Sequence, residues 1–158
     1  MDDLQLRFRD AMARVPAPVT VVTTMLDGVP FGTTVSAFAS LSLTPPMVVF
    51  ALDNRGGMKD RILSAGRVGI NILGGDQPEL ARRFASPVDR FESVAWEVHD
   101  GVPRLGGVAA FVHCGEVTAL PGGDHTVVLG MCDDALTLGD ASLSYHLRMF
   151  HSVPPTGL

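Results

Sequence analysis

Gly32-Thr33-Thr34-Val35-Ser36-Ala37-Phe38-Ala39-Ser40-Leu41-Ser42-Leu43-Thr44-Pro45-Pro46 is the stretch on which the fold turns. It holds too many hydroxyls for an ordinary buried strand. Alternate residues of a strand share a face, so Thr34, Ser36, Phe38 and Ser40 point one way while Thr33, Val35, Ala37 and Ala39 point the other. The first set is a row of small donors and acceptors beside an aromatic ring, suited to a flat polar ligand. A solvated barrel face carrying Ser and Thr has the same pattern, and periodicity alone does not separate the two.

Working outward, residues 19–25 are β-branched, Asp27-Gly28 is a turn signal and residues 31–38 resume an extended pattern, which predicts a hairpin. Residues 47–52 read as a short buried strand, 53–57 as a polar, Gly-rich loop, Met58 to Ala65 as a helix and 68–73 as a strand. Asp76 is placed to cap a short helix through Phe84, with Glu79 as its capping-box partner and Pro78 in the first turn. Upstream, Leu4, Phe8, Ala11, Met12 and Val15 recur at helical spacing until Pro16 and Pro18, so residues 4–14 form an amphipathic helix whose stripe is expected to cover a sheet. In the second half, residues 108–120 and 126–134 are extended, joined by Pro121-Gly122-Gly123-Asp124. A hairpin centred near Gly123 sets Cys114 opposite Cys132. Six or seven strands with one N-terminal helix and two short inserted helices point to a closed or nearly closed antiparallel barrel, because an all-β chain must hide its edges.

Composition narrows the function classes. Of 158 residues 46% are apolar and only 18% charged, with 12 Lys plus Arg against 17 Asp plus Glu, a net charge of −5. That describes one compact acidic domain, residues 1–158, with enough apolar surface for a core. Gly, Pro, Thr or a charge interrupts every candidate membrane span, and residues 1–14 open on Asp2 and Asp3 with no cationic leader, so the expected compartment is the cytoplasm. Net acidity argues against a nucleic-acid-tracking surface, and an anionic ligand would need a locally basic pocket. Two cysteines are no disulfide framework, and Cys114 and Cys132 are expected as free thiols. None of the five histidines stands in a metal-ligand spacing, so no metal is expected.

Ten residues of the opening stretch, Gly32, Thr34, Ser36, Ala37, Phe38, Ser40, Leu41, Ser42, Pro45 and Pro46, fall in step with one known pattern. Gly123-Asp124-His125-Thr126-Val127-Val128-Leu129-Gly130, Leu143-Ser144-Tyr145-His146-Leu147-Arg148-Met149-Phe150-His151, Asp89-Arg90-Phe91, Trp96 and Gly101-Val102-Pro103 follow in the same order and spacing. Over about residues 6–152 the chain resembles the flavin reductase-like family of FMN-binding split-barrel proteins. The resemblance implies a mainly β, six-stranded antiparallel split barrel of Greek-key type that forms a homodimer. It implies reduction of FMN or FAD by NADH or NADPH, with the reduced flavin passed to a separate flavin-dependent monooxygenase. A non-catalytic flavin-binding or electron-carrier protein on the same barrel is the alternative. No dinucleotide-binding glycine motif is present, so nothing separates NADH from NADPH.

The same resemblance implies roles. Hydride transfer to a flavin puts negative charge on the pyrimidine end of the ring, which calls for fixed donors there. Ser40, Leu41 and Ser42 match the isoalloxazine edge; Thr34, Ser36 and Ala37 match the ribityl and phosphate end. The loop Asp53-Asn54-Arg55-Gly56-Gly57-Met58 lacks the hydroxyl pair common in the family. Asn54 and Arg55 are its candidate contacts, Arg55 replacing the hydroxyls with a guanidinium beside two glycines or else standing as a solvated turn residue. Arg82 and Arg83 before Phe84 match a basic pair before an aromatic. His125 is the candidate catalytic residue, by positioning rather than acid/base work, since hydride transfer needs no general base. Tyr145 is a candidate nicotinamide contact, whereas Phe150 and Trp96 read as core and His146 and His151 as surface.

Overall fold

A computed structural model describes residues 1–87 and 90–155. Its elements, in order, are α1 (Asp3–Met12), β1 (Ala17–Pro18), β2 (Thr20–Leu26), β3 (Val29–Val35), β4 (Phe38–Leu43), β5 (Pro46–Asp53), α2 (Met58–Ala65), β6 (Val68–Ile72), α3 (Pro78–Ala85), β7 (Trp96–His99), β8 (Val102–Leu105), β9 (Ala110–Gly122), β10 (His125–Thr137), β11 (Ser142–His146) and β12 (Met149–Val153). Asp89, part of one matched block, lies outside the described residues. No helix among the described residues is long and apolar enough to cross a membrane.

Seven strands form the main antiparallel sheet, in the order β3-β2-β6-β9-β10-β5-β4. The two outermost strands are consecutive in sequence and only Ser36 and Ala37 separate them. The ends of the sheet are therefore brought together, and the sheet curls into a barrel with a split between β3 and β4. Seven strands agree with the six or seven read from the residues and exceed by one the six that the resemblance implies. The extended stretch 31–38 belongs to both edges, because the chain leaves β3 at Ser36 and starts β4 two residues later, with the Phe38 N–H donating to the Ser36 carbonyl at 2.9 Å. The predicted alternation of faces stops at that break and slips again at a register shift between Ser40 and Ser42.

The long hairpin of β9 and β10 forms as the turn residues predict, with Gly123 at φ +73°. Its turn is Gly123-Asp124, so His125 faces Gly122 and the ladder runs one residue off the expected register. A bulge between Met131 and Asp134 then restores Cys132 to the position opposite Cys114, their sulfurs 3.7 Å apart.

Two apolar clusters fill the fold. Val22, Val35, Val48, Phe50, Ile62, Ile70 and Val128 occupy the barrel interior. Val19, Val21, Leu73, Ala81, Phe84, Leu105 and Leu143 pack α3 onto the outside of the sheet. Phe84, wholly buried, meets Phe91 edge-on at 4.9 Å, and Phe91 meets Trp96 at 5.6 Å. Burying a ring of this size is worth about 1.5–3 kcal/mol. Buried Asn71 joins two strands without leaving a polar atom idle: its amide donates to the Val21 carbonyl and the Thr23 hydroxyl, and its oxygen accepts the Leu105 N–H.

Two local expectations fail. The third helix starts at Pro78 after Gln77, and Asp76 makes no cap. Gln77 instead accepts the Gly74 N–H and donates to the Gly106 carbonyl, spending its side chain on tertiary contacts. The first helix forms, with a capping box between Asp2 and Gln5, but buries no residue: Phe8 is 62% exposed and Leu4 and Met12 face outward as well. Its stripe covers no sheet of this chain. What holds the helix is the β11–β12 turn, where Leu147 N–H donates to the Ala13 carbonyl at 2.7 Å and Arg148 pairs with Asp10.

Candidate active site

A cavity of about 700 Å³ opens between the end of β3, helix α3 and the β11–β12 hairpin. Thr34 comes from β3 and Ser36 from the link that follows it, Arg82 from α3, and Tyr145, Arg148 and Phe150 from the hairpin. Register explains the grouping. Tyr145 and Phe150 are cross-strand partners whose rings lie 5.1 Å apart, so they share a face. The Arg82 guanidinium lies 5.1 Å from the Phe150 ring centre and pairs with Glu79 one helical turn away. Thr34 donates its hydroxyl to the Ala81 carbonyl at 2.6 Å, fastening the strand to the helix. Among the described residues lining the cavity there are two guanidinium groups and no carboxylate. In a chain of net charge −5 that is the locally basic pocket an anion requires.

The other anticipated residues lie elsewhere. Ala37 sits in the link between β3 and β4, its carbonyl accepting the Ala51 N–H at 2.9 Å. Ser40, Leu41 and Ser42 lie along β4, the open edge of the sheet, where Leu43 is 87% exposed. Asn54, Arg55 and His125 cluster where the β9–β10 turn meets the end of β5. There Asn54 N–H donates to the Asp124 carbonyl at 3.0 Å and the Asn54 side-chain oxygen accepts the Thr126 hydroxyl at 2.6 Å. His125 Nδ1 lies 2.7 Å from an Asp124 carboxylate oxygen, and His125 faces Asp53 across the ladder. Arg55, 88% exposed, closes back on Asp53 with its guanidinium and its backbone N–H. These bonds hold the Asp53 carboxyl well below the usual carboxylate range, and the same pair raises Arg55. Arg83 is exposed and donates to the Glu92 carbonyl, and Phe84 is in the core, so neither lines the cavity.

Two groupings were not anticipated. A second cavity of about 720 Å³ lies on the other side of β3, lined by Phe31, Thr33, Gly56, Gly57, Arg61 and Arg90 among others. Arg61 stacks on Phe31 at 4.2 Å, and Arg90 donates to the Gly32 carbonyl at 2.6 Å, its ionisation disfavoured first by burial and then by Arg61. The β10 bulge also brings Asp134 within 2.7 Å of His99 Nε2, with Asp100 3.6 Å from the same nitrogen; the His99 bond keeps the Asp134 carboxyl below its ordinary range. No local signal announces a pair 35 positions apart.

Comparison with known proteins gives one consistent result. The family of the flavin reductase like domain matches residues 12–154. The reductase component of a 4-nitrophenol 4-monooxygenase/4-nitrocatechol 2-monooxygenase from Rhodococcus opacus is 40% identical over 149 residues, which cover 93% of this chain and 80% of that protein. An NADH-dependent flavin reductase from a Rhodococcus species is 33% identical, covering 96% and 88% of the two chains. Among solved structures, an NADH:FAD oxidoreductase of Streptomyces globisporus C-1027 superposes with a TM-score of 0.91 at 29% identity, covering 99% of this chain and 98% of the other. With a barrel split between β3 and β4, a basic cleft beside the split, and sequence agreement along nearly its whole length, the chain belongs to the flavin reductase like domain family.

Proposed function

We propose that this chain is an NAD(P)H:flavin oxidoreductase that reduces FMN or FAD as an exchangeable substrate and releases it to a separate flavin-dependent monooxygenase. The observation that carries this reading is the cleft of Thr34, Ser36, Arg82, Tyr145, Arg148 and Phe150, which joins hydroxyls, an aromatic pair and two cations without an anion. Its volume of about 700 Å³ falls within the range of about 300–1,000 Å³ usual for small-molecule sites. A flat, hydrogen-bonding ring with a phosphate tail fits that lining. Relatives named as reductase components of monooxygenases support the hand-off.

Bound flavin supplies the hydride acceptor; the chain supplies position and charge. Thr34, Ser36 and Ala37 hold the ribityl and phosphate end, with Arg82 offsetting the phosphate charge. Ser40 and Ser42 hydroxyls and the Leu41 N–H donate to the ring edge where charge develops on reduction. Tyr145 offers its ring to the nicotinamide. His125 orients the ligand through Nε2, its Nδ1 being engaged by Asp124. Asn54 steadies the loop that carries Arg55.

The active unit we infer is a homodimer. The α1 stripe and the β4 edge, with Leu41 and Leu43, are exposed apolar surfaces of the kind a second copy covers. We take residues 1–158 as one flavin reductase-like domain that works in the cytoplasm. Steady-state oxidation of NADH and NADPH with riboflavin, FMN and FAD in turn tests the reading. Nicotinamide consumption that depends on added flavin is expected; a tightly held flavin indifferent to nicotinamide would support the carrier alternative.

A further inference from the structure

The β11–β12 hairpin turns on Leu147 and Arg148, which both have positive φ, +50° and +63°. Two-residue turns of this kind ordinarily use Asn or Gly, because a Cβ is crowded in the left-handed region. A leucine followed by an arginine is a poor choice for folding. The turn is also where α1 is tied down, but the tie through Leu147 is a backbone bond to Ala13 that Asn or Gly would make equally well. The ion pair of Arg148 with Asp10 is more than half exposed on both sides, 56% and 58%, and such pairs contribute little to stability. Neither contact explains why an arginine occupies a strained position.

The cavity explains it. Arg148 lines the same cleft as Thr34, Ser36, Arg82 and Tyr145, whereas Asp10 and Glu79, the carboxylates paired with the two arginines, do not line it. Both guanidinium groups thus line the cleft, while the carboxylates they pair with lie outside its lining. We infer that Arg148 is a phosphate-binding residue of the cleft, held in place by a turn whose strain is retained for that purpose. This rests on the proposed reading of the cleft as a flavin and nicotinamide site. Phosphate is common to FMN, FAD, NADH and NADPH, and riboflavin lacks it.

Arg148→Gly separates the roles, since glycine relieves the turn while removing the guanidinium. Thermal stability should hold or rise, while the KM of the phosphate-bearing ligand rises about tenfold or more, the scale of a lost charge-assisted bond, and kcat changes little. A loss for FMN and FAD that spares riboflavin assigns the phosphate to the flavin; a higher KM for NADH and NADPH with every flavin assigns it to the nicotinamide nucleotide. Leu147→Asn, which relieves strain and keeps the guanidinium, should leave KM unchanged. Asp10→Asn should leave KM unchanged or lower it. The inference is overturned if Arg148→Gly shifts no KM, or if Asp10→Asn reproduces its effect, which would make Arg148 only a tether for α1. Calorimetric titration of the resting protein with FMN and with riboflavin keeps the tests apart: a wild type that binds FMN but oxidises no NADH defeats the reductase reading, while the Arg148→Gly comparison still decides this one.

Discussion

The Thr34 hydroxyl donates to the Ala81 carbonyl at 2.6 Å, so the strand that floors the cleft is fastened to the helix that walls it. Thr34→Val keeps the shape and removes the donor. It should destabilise the protein by about 0.5–1.5 kcal/mol in urea titration and raise the flavin KM as α3 loosens. Thr34→Ser, which keeps the hydroxyl, should restore most of both.

Gly32, the first residue of the matched motif, has a structural reason. A Cβ there would lie 2.9 Å from Phe84 Cε1 and 3.3 Å from Phe91 Cζ. Gly32→Ala must move a buried ring, at a cost of about 1–3 kcal/mol. The urea midpoint should fall with the denaturant slope unchanged.

Local chemistry made much of the fold legible. Gly123 with its positive φ and the β-branched runs around it predict the long hairpin. The Cys114–Cys132 pairing came out as expected only because the bulge cancels a one-residue error in the turn. The stripe of Leu4, Phe8 and Met12 correctly signalled a helix, but periodicity tells that a face is apolar and not what covers it. Gln77 shows the converse: a polar side chain near a helix start serves either its own helix or distant backbone, and tertiary contacts with Gly74 and Gly106 decided. Of the site, Thr34, Ser36, Arg82 and Tyr145 were reached through the resemblance and converge on one cavity. Arg148 was not, because its distinguishing property is a backbone angle.

The Asp53–Arg55 pair predicts a titration. A carboxyl depressed in the folded state stabilises it above the unfolded pKa, and that contribution is lost as pH falls through the folded pKa. The pair should therefore hold through the ordinary carboxylate range and fail only in stronger acid. In Arg55→Ala the guanidinium bonds are lost but the backbone N–H bond remains, so the Asp53 carboxyl should titrate higher than in the wild type while staying below its ordinary value, as read by carboxyl-carbon NMR. If Arg55 also binds phosphate, the same variant weakens FMN and FAD and spares riboflavin; equal losses for all three would show a packing effect instead.

Ser40 and Ser42 lie on the open β4 edge, so removing their hydroxyls should scarcely touch stability. A Ser40→Ala, Ser42→Ala double variant should raise the flavin KM by the equivalent of about 0.5–1.5 kcal/mol per bond lost. Unchanged KM and turnover would remove both residues from the site.

A flavin that serves as an exchangeable substrate leaves the protein once reduced. Purified protein is mixed anaerobically with excess NADH and FMN or FAD, passed through a membrane that retains protein, and the filtrate read by absorbance. Reduced flavin should accumulate in the filtrate far beyond the molar amount of protein present. Flavin that stays oxidised, or that is reduced only in proportion to protein and retained with it, would rule out an exchangeable flavin.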